Sequence, residues 1–452
     1  MKTLADLLHH SVPLGDGGEV LVLETGALIG AESQAMLGAL HSRSIGGIRS
    51  HLKVLSEKGS EKFMGTFYVG YGHKSIGDLG NTAVFIEGVS MLAAKAIQDF
   101  PLYNGQEAST RYIDFSQQNF VNPAKSQEGL AVLESLRSFY LDGLDRFIPV
   151  LKKRYPQGAG EKDAVYEKAI KARAFDTMRA FLPAGASTNL VWVGPLRQFA
   201  DRLPILRNHP LAEVREIAEA SLKALLVAFP NSFSDKQYEE TEDYHRLCED
   251  LYAYFDDKEP VDFALTRDTV DRDILAEYRT AFESRPAKNE LPYNVRECGQ
   301  LQYKFLLDFG SYRDLQRHRP IVLPMPLLTS KHGFEPWYLD ELPEDLREEA
   351  KHVLVENLAA IEKLGLSAAE QQYFLPMGYR TTIRLTGDLR SLVYLVELRA
   401  TRFVHPTLRM RAVTMAKSLQ ERFGDSGLVL HLDPEPDRFD VKRGEHDIVQ
   451  QT

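Results

Sequence analysis

Three adjacent side chains, Arg317, His318 and Arg319, are followed directly by Pro320, and we call these three residues the RHR cluster. Two guanidinium groups and an imidazole supply positive charge and several hydrogen-bond donors, a combination suited to binding phosphate or another anion. A structural alternative stays open, because cations in the last turn of a helix stabilise it through its dipole by roughly 0.3–1 kcal/mol. One such cluster is rarely a complete site, so other parts of the chain must supply the rest of the pocket.

A second polar segment, between residues 105 and 119, has Glu107, Ser109 and Arg111 at alternate positions. In an extended strand these three side chains lie on one face, because successive side chains point to opposite faces. A carboxylate, a hydroxyl and a forked guanidinium can together bind an anion at one end of a nucleotide and an amide edge at the other. The alternative interpretation is a polar edge strand.

A third segment, residues 70–78, has a glycine on each side of Tyr71, followed by His73 and Ser75. A phosphate-binding P-loop requires glycine immediately before its Lys-Ser pair, and His73 occupies that position, so this motif is not a P-loop. His73 and Ser75 either offer hydrogen-bond donors to a ligand at a helix N-terminus or only cap that helix.

The elements that must position these residues come from a sequence that repeats itself. Residues 181–199 and 374–392 share the pattern F-L-P-x-G, eight further residues, then G-x-L-R, without a gap and at an offset of 193 positions (374 − 181). The similarity continues, one inserted residue later, in residues 223–230 and 417–424. So many spaced matches rarely arise by chance, and they indicate two copies of one domain.

The repeat divides the chain near Phe233, and we predict one domain from residues 1–233 and a second from residues 234–452. The acidic stretch after Phe233 is expected to be an exposed, partly helical connector. Both copies retain an arginine in the G-x-L-R pattern, Arg197 in the first and Arg390 in the second. Each arginine is either an anion contact or a member of a structural ion pair.

Each copy is expected to be an α+β unit, in which helices pack on a small sheet. Two short runs rich in β-branched residues, 19–29 and 190–194, predict strands. The stretch that follows the second run predicts two helices broken around Pro210.

Two further stretches also predict helices. In residues 82–100 the apolar positions recur at helical spacing. Residues 301–319 are expected to form a helix that Pro320 terminates, with the RHR cluster in its last turn.

The composition limits the classes of function. The chain has 452 residues, of which 44% are hydrophobic and 26% charged, and its net charge is −10. General binding to nucleic acid or to membrane surfaces is disfavoured, because those partners are polyanions. The two cysteines provide neither a disulfide framework nor a zinc site, and the first residues lack the apolar core of a signal peptide, so we expect a cytoplasmic protein.

Several common catalytic motifs are missing from the sequence. It contains no G-x-G-x-x-G after a strand, no H-E-x-x-H, no G-x-S-x-G and no set of His and Cys at metal-ligand spacing. We therefore expect no metal, and any cofactor must be held by other devices.

The sequence resembles the flavin-dependent thymidylate synthases in several places. Residues 72–90, GHKSIGDLGNTAVFIEGVS, and residues 107–116, EASTRYIDFS, carry the likeness. The signature of that family is RHR-x2-S-x-N-x2-S-x-R. The repeated FLP…GxLR block, followed by EVREIAEASLKAL, is similar to the C-terminal half of the family. The resemblance covers most of both copies.

The signature is divided between the two copies. The first copy keeps its end, Ser109 and Arg111, and the second keeps its beginning, the RHR cluster. Because random decay would not spare matching halves, the complementary losses favour one composite site. The lost positions are occupied by Asp99, Phe100 and Pro101 in the first copy and by Leu327 and Thr329 in the second.

The resemblance implies an internal pseudo-dimer. Sites in the family lie between the subunits of a homotetramer, so a chain with two fused copies implies a homodimer that acts as a pseudo-tetramer. The implied substrate-binding residues are Glu107, Ser109, Arg111, Arg317 and Arg390. Catalytic roles are implied for Arg317, Ser109 and Arg111. Flavin contacts are implied for His73, Ser75, His318 and Arg319.

The resemblance also implies a reaction. The family methylates dUMP to dTMP, with the carbon from methylenetetrahydrofolate and the electrons from NADPH through FAD. No enzyme cysteine attacks the pyrimidine in that chemistry, which suits a chain whose two cysteines, Cys248 and Cys298, have no evident activating partner. Three alternatives stay open: a non-catalytic protein that binds or senses a nucleotide, a flavoenzyme for another pyrimidine nucleotide, and a structural scaffold.

Overall fold

The computed structural model describes residues 9–23, 30–43, 48–70, 74–108 and 113–434. The chain forms two compact units, each made of two stretches. The first unit comprises Met1–Val121 and Ala186–Ala253, and the second comprises Asn122–Gly185 and Tyr254–Thr452. The second unit thus includes a long segment of the first predicted repeat. The domain boundary near Phe233, which was inferred from the sequence repeat, stays a prediction.

Antiparallel strands form one small sheet in each unit, which confirms the expected α+β class. The order is β1-β2-β3-β5-β4 in the first unit and β6-β7-β8 in the second. Within the described residues the strands are β1 (His9–Pro13), β2 (Glu19–Leu23), β3 (Asn81–Ser90), β4 (Asn104–Glu107), β5 (Ser187–Pro195), β6 (Phe263–Asp268), β7 (Gln300–Asp308) and β8 (Arg380–Asp388).

Helices surround both sheets. The predicted connector after residue 233 contains α9, in which no residue is buried, as expected for an exposed connector. The helices of the described residues are α1 (Ala31–Arg43), α2 (Ile48–Lys58), α3 (Glu61–Phe63), α4 (Met91–Gln98), α5 (Gln127–Arg154), α6 (Asp163–Met178), α7 (Leu196–Leu206), α8 (Ala212–Ala228), α9 (Glu239–Tyr252), α10 (Arg272–Ala276), α11 (Arg279–Ser284), α12 (Phe309–Leu315), α13 (Pro336–Glu341), α14 (Glu344–Lys363), α15 (Ala368–Gln371), α16 (Leu389–Arg399) and α17 (Pro406–Phe423).

The core of the first unit lies between its sheet and the helices that follow β5. α8 packs on β1 and β2, while α7 packs on α8. Trp192 of β5 contacts Phe199 of α7, with ring centroids 4.4 Å apart. The predicted strand at 190–194 and the helix break around Pro210 are both confirmed, since α7 ends before that proline and α8 begins after it.

The core of the second unit is built on β7. Leu301, Tyr303, Phe305 and Leu307 are buried, and they point to one face because they occupy alternate positions of the strand. β7 pairs along its length with β8. α12 and α17 pack on β7, and α16 packs on β8 and α17.

The predicted helices at 82–100 and 301–319 are wrong in their first halves. Each stretch begins with a strand, β3 or β7, and only then continues as a helix, α4 or α12. The apolar run continues through both elements, so hydrophobic spacing alone does not separate them. The junction is marked by a capping side chain, Ser90 or Asp308, which accepts a hydrogen bond from a backbone N–H of the following helix. The RHR cluster consequently follows α12 and is not in its last turn.

The two F-L-P-x-G segments of the repeat pair with each other inside the second unit. Four backbone hydrogen bonds join them, and each bond has a counterpart in which the two copies are exchanged at the offset of 193 positions. Such reciprocity is the property of an interface between identical partners related by a two-fold axis. The bonds run from Ala184 N to Leu375 O and from Met377 N to Leu182 O, both 3.0 Å, and from Gly185 N to Tyr373 O and from Gly378 N to Ala180 O, both 2.8 Å.

Aromatic side chains reinforce this pairing. Phe181 stacks on Phe334 with ring centroids 5.1 Å apart and meets Phe139 of α5 edge-on at 5.0 Å. α5 in turn packs against α14. The paired segments therefore lie under a layer of rings and long helices, where little space remains at Gly378.

We predict that Gly378→Ala destabilises the protein by about 1–3 kcal/mol, the usual range for overpacking a core. The added methyl group would collide with the Phe334 ring and approach the Ala180 side chain to 2.9 Å. Denaturant unfolding should be compared with Gly65→Ala, whose added carbon meets none of the described residues within 4 Å. Equal unfolding free energies for the two variants would contradict the close pairing.

Candidate functional site

Three of the predicted site residues, His73, Ser109 and Arg111, lie outside the described residues. Ser75 belongs to a 3-10 helix, Lys74–Leu79, but its side chain is also outside the described part. The roles expected of these four residues stay predictions.

Glu107 ends β4 in the first unit and is held by a buried ion pair. Its Oε2 lies 2.5 Å from the Nζ of Lys95, a residue of α4, and both side chains are almost completely buried. Gln98, also on α4, donates from Nε2 to the same oxygen at 2.9 Å. A carboxylate in the interior requires such partners, because an isolated buried charge is strongly disfavoured. α4 therefore fixes the orientation of the Glu107 carboxylate.

In the second unit, the turn after α12 places the RHR cluster against α16. The Arg317 side chain is 52% exposed, and its Nε lies 3.6 Å from Asp314 Oδ1. His318 is buried, and its Nε2 accepts a hydrogen bond from Arg399 Nε at 2.8 Å. Arg399 also donates from Nη2 to the Asp314 carbonyl oxygen at 2.7 Å. One side chain of α16 thus holds both ends of the turn.

His318 is neutral in this arrangement. Burial, reinforced by the positive charge of Arg399, lowers the pKa of His318 to about 3. Because Nε2 accepts the bond from Arg399, the imidazole has its proton on Nδ1 and offers that N–H as a donor. Tyr394 meets the His318 ring edge-on, with centroids 6.0 Å apart. The cluster therefore combines a neutral donor with the charges of Arg317 and the half-buried Arg319.

Asp314 is surrounded by guanidinium groups. Burial alone would raise the pKa of its carboxyl group, but the charges of Arg179, Arg317, Arg399 and Arg313 outweigh burial and lower that pKa. Asp314 stays ionised as a result and neutralises only part of the local positive charge. The positive charge that remains favours an anionic ligand.

Arg179 is a candidate site residue to which no sequence motif points. It is 9% exposed, and its Nη1 lies 4.0 Å from Asp176 Oδ1. Within the described part of the chain, its buried Nε and Nη2 have no hydrogen-bond partner. Burial alone would lower the pKa of this guanidinium, but Asp176, Asp314 and Asp308 contribute to raising it, so it is charged. Buried donors without partners are rare in folded proteins, which makes Arg179 a candidate ligand contact.

The repeat contains the signal that could have found Arg179. At the offset of 193 its counterpart is Gln372, whose Oε1 accepts a hydrogen bond from a backbone N–H at 3.0 Å. The first copy is thus charged where the second is neutral. The relation is reversed at the RHR position, where Arg317 of the second copy corresponds to Asp99 of the first. The second unit contains Arg179 from the first copy together with the RHR cluster from the second.

Arg390 and its counterpart Arg197 both form ion pairs. Arg390 pairs through Nη2 with Glu290, and its Nε donates to a backbone carbonyl at 2.8 Å. In the first unit Arg197 pairs with Asp78 at 2.9 Å and with Asp201 at 3.2 Å. The ion-pair alternative therefore describes both arginines, and the nucleotide contact expected of Arg390 stays a prediction.

A cavity of about 580 Å³ lies in the second unit next to the ion pair of Arg390 with Glu290. Its volume is in the range of small-molecule sites. Its wall includes Tyr394, which also contacts His318, and the apolar side chains Leu398 and Phe403. Lys288, also in the wall, has a φ of +66°, which is uncommon for a residue other than glycine and often marks a functional site.

In the first unit the RHR position is occupied by Asp99, Phe100 and Pro101, and the first two contact other residues of the same unit. Arg202 donates from Nη2 to the Asp99 carbonyl oxygen at 2.9 Å, and its guanidinium lies 5.7 Å from the centroid of the Phe100 ring. Phe100 also meets Trp192 edge-on at 6.4 Å. A carboxylate and an apolar ring at this position do not favour an anion.

Metal-ligand clusters and membrane-spanning helices are both absent from the described ranges. In those ranges, no group of three or more His, Cys, Asp or Glu side chains is arranged to hold a metal ion. None of the helices with described residues is both long and apolar enough to cross a membrane.

Comparison with known proteins confirms the family resemblance. Residues 32–231 match the model of the family described as Thymidylate synthase complementing protein. The protein of Corynebacterium glutamicum named Flavin-dependent thymidylate synthase is 23% identical over 187 residues, which cover 40% of this chain and 72% of that protein. Both observations agree with the likeness found in the divided signature.

Two longer relatives match most of the chain. The UPF0159 protein of Chlamydia muridarum is 27% identical over 412 residues, covering 77% of this chain and 76% of that protein. The UPF0159 protein of Thermoplasma acidophilum is 24% identical over 438 residues, covering 81% of this chain and 87% of that protein. These matches are too long to lie within one predicted repeat, whereas the family match at 32–231 lies within the first.

We predict that Lys95→Met destabilises the protein by about 3–5 kcal/mol, because it removes the ammonium group that lies against the buried Glu107 carboxylate. The double variant Lys95→Met/Glu107→Gln should recover most of that loss, since neither charge remains. Denaturant unfolding at neutral pH measures both. A single variant as stable as the double one would show that Glu107 is not held as a buried ion.

We also predict that acid destabilises the protein between pH 6.5 and 3. Burial lowers the pKa of His209 to about 3, as it does for His318. Below about pH 6.5 the unfolded histidine takes up a proton that the folded one does not, so unfolding is favoured by about 1.4 kcal/mol per pH unit for each such group.

Unfolding free energies between pH 7.5 and 5 test this mechanism. His209→Gln should have a shallower pH dependence than the wild type by the contribution of one histidine. His352→Gln, at an exposed position, serves as the control and should keep the slope of the wild type. If His209→Gln also keeps that slope, buried neutral histidine is not the cause.

Proposed function

We propose that this protein is a flavin-dependent methyltransferase for a uridine nucleotide, with dUMP as substrate and dTMP as product. The methyl carbon would come from methylenetetrahydrofolate and the electrons from NADPH through FAD. The observation that carries the proposal is the cationic site of the second unit, where the RHR cluster and the unpartnered donors of Arg179 lie around Asp314. The family match and the Corynebacterium relative support this chemistry.

The charged groups suit the nucleotide. We assign Arg317 and Arg179 to its phosphate, because guanidinium groups bind phosphate oxygens through two parallel hydrogen bonds. Ser109 and Arg111 are assigned to the same substrate from the split signature, and so is Arg390, which would exchange its bond to Glu290 for one to the ligand. Glu107, oriented by Lys95, would accept a hydrogen bond from the base.

The cavity beside the RHR cluster suits a flavin. Tyr394 and its apolar neighbours in the wall offer a surface for a flat ring, and Lys288 offers positive charge near an anionic tail. His318 and Arg319 offer donors from the adjoining turn, while His73 and Ser75 stay assigned from the resemblance. When bound, the flavin would supply the redox chemistry of the methyl transfer.

The protein would then contribute binding and electrostatics. Positive charge around Asp314 lowers the free energy of a pyrimidine that becomes anionic during the reaction. Cysteine nucleophiles are not needed for this role. Cys298 is buried, and burial raises the pKa of its thiol, which makes it a poor nucleophile at neutral pH.

Two fused copies with one working site form part of the proposal. The reciprocal hydrogen bonds between the F-L-P-x-G segments support an internal two-fold relation. The opposite charge patterns of the copies support one site. At the position of Arg179 in the first copy, the second copy has the neutral Gln372. At the position of Arg317 in the second copy, the first copy has Asp99. We expect a homodimer in solution, measurable by light scattering.

A non-catalytic nucleotide sensor is the second candidate. It is favoured by the internal ion pairs of Glu107 with Lys95 and of Arg390 with Glu290, since both expected ligand contacts are engaged. Nucleotide binding without turnover of a flavin by NADPH would support this candidate over the enzyme.

We predict that purified protein binds FAD, has an oxidised-flavin absorbance spectrum and forms dTMP from dUMP with methylenetetrahydrofolate and NADPH. Arg390→Gln should lower kcat/KM for dUMP by about two orders of magnitude, the cost of losing a desolvated charged contact. Arg197→Gln, the equivalent change in the first copy, is the matched control and should leave kcat/KM near the wild-type value. A colourless protein that takes up no FAD would refute the enzyme, and equal losses in both variants would refute the single site.

A further inference from the structure

A cleft of about 600 Å³ lies in the second unit between the start of α5 and the end of α14. We call it the helix-pair cleft, and its wall includes Ala131 and Val132 of α5, Asn357 and Ala360 of α14, and Leu364 directly after α14. Its wall residues differ from those assigned above to the nucleotide and the flavin. The volume is in the range of small-molecule sites, so the cleft has room for a further ligand.

The two helices that form the cleft are counterparts in the repeat. α14 aligns with α5 at an offset of 218 positions, which is also the separation of the two starts of the divided signature (317 − 99). Equivalent contacts support this alignment. Phe139 meets Phe181 edge-on, with ring centroids 5.0 Å apart, and their counterparts Asn357 and Phe374 are joined by a hydrogen bond of 3.3 Å.

Charged side chains fill the equivalent space at the other end of this helix pair. Arg146 of α5 donates from Nη1 to Asp142 at 2.9 Å and to Glu349 at 2.6 Å, and from Nη2 to Asp345 at 2.9 Å. One guanidinium therefore joins the end of α5 to the start of α14.

The helix-pair cleft has small or apolar residues in place of that cluster. At the offset of 218 positions, Leu364 is the counterpart of Arg146, Ala360 of Asp142, and Ala131 of Glu349. The wall residue Asn357 is likewise smaller than its counterpart Phe139. The cleft is thus the space that these replacements leave where the two helices cross a second time.

Asn357 is a buried polar group in the wall of the cleft. Its side chain is 6% exposed, and its Nδ2 donates to the Phe374 carbonyl oxygen. Because a carbonyl oxygen only accepts, this bond fixes the orientation of the amide and leaves Oδ1 as the atom that needs a donor. Within the described part of the chain, Oδ1 has no hydrogen-bond partner. Buried acceptors without partners are rare, and a ligand that donates a hydrogen bond would satisfy this one.

Charged residues at the rim of the cleft decide which donor it favours. Glu128 accepts hydrogen bonds from its own backbone N–H and from the Ser126 hydroxyl, and these bonds lower the pKa of its carboxyl group. The anion-binding end of α5 is therefore already taken by a carboxylate. Glu356 supplies a second carboxylate and Lys363 one ammonium group. With two negative charges against one positive charge, the rim favours a cationic ligand over an anionic one.

We propose that the helix-pair cleft binds a small organic cation, a primary ammonium group on a hydrocarbon chain. The ammonium group donates to Asn357 Oδ1 and is attracted by the carboxylates of Glu128 and Glu356. The hydrocarbon chain lies against Val132 and Leu364. The inference does not rest on the proposed function, since it concerns a separate site and is tested by binding alone.

Calorimetric titration of the full chain with three probes of equal chain length tests the chemistry of the site. Hexylammonium should bind about tenfold more tightly than 1-hexanol, because a charge-assisted hydrogen bond is stronger than a neutral one. Hexanoate, which cannot donate and is repelled by the rim, should not bind. Hexanoate binding as tight as that of hexylammonium, or no binding of hexylammonium, would overturn the proposal. The second result would mean that water alone satisfies Asn357.

Variants of the cleft locate the bound probe. Ala360→Asp/Leu364→Arg introduces the ion-pair residues of the other end of the helix pair without changing the net charge, and it should weaken hexylammonium binding at least tenfold by filling the cleft. Asn357→Leu removes the acceptor and should weaken binding similarly. Val355→Ser changes an exposed residue of α14 outside the wall and should keep the wild-type Kd.

The double variant covers the case in which Asn357→Leu does not fold, because Ala360 and Leu364 are only half-buried. Titrations with dUMP and FAD serve as the second control, and their results should be the same for the cleft variants as for the wild type. Wild-type affinity for hexylammonium in the double variant, or an equal loss of affinity in Val355→Ser, would show that the probe binds elsewhere and would overturn the proposal.

Discussion

The pairing of the two F-L-P-x-G segments is the constraint on which the second unit depends. Its four backbone hydrogen bonds are reciprocal, so they satisfy buried polar groups of both segments at once and fix their register. The same pairing places Arg179 next to a segment whose other bonds reach the first turn of α12. A guanidinium from one sequence copy is in this way brought to the helix that precedes the RHR cluster of the other copy.

Electrostatics in the interior explains why the copies differ where they do. Charges buried in a low-dielectric interior require partners, so a new buried arginine is tolerated when a carboxylate accompanies it. In the second unit that condition is met by Asp176, whose Oδ1 lies 4.0 Å from Arg179 Nη1, while Asp314 and Asp308 add electrostatic stabilisation. In the first unit the same condition is met differently, by Lys95 with Glu107. The two units therefore distribute their buried charges in different ways.

Much of the local structure was predictable from the sequence, and the failures lie where no local motif carries a signal. Strand β5, the helix break at Pro210 and the exposed connector were predicted because each has a clear composition or breaker signal. The junctions between β3 and α4 and between β7 and α12 were missed because the apolar run is continuous there and only Ser90 or Asp308 marks the change. Arg179 was missed because its significance depends on a comparison with Gln372 at the repeat offset, which no motif contains. The hydrogen bond from Arg399 to His318 joins residues 81 positions apart, and local patterns do not specify such contacts.

The complementary asymmetry also bears on how many sites one chain can have. A two-fold relation between identical copies would generate two equivalent anion sites. Here the second copy supplies Arg317 where the first has Asp99, and the first copy supplies Arg179 where the second has Gln372. In the first unit, Arg202 donates to the Asp99 carbonyl oxygen and lies over the Phe100 ring, so these residues already have partners within their own unit. Independent decay would not be expected to give such complementary losses, which is why we propose a single working site.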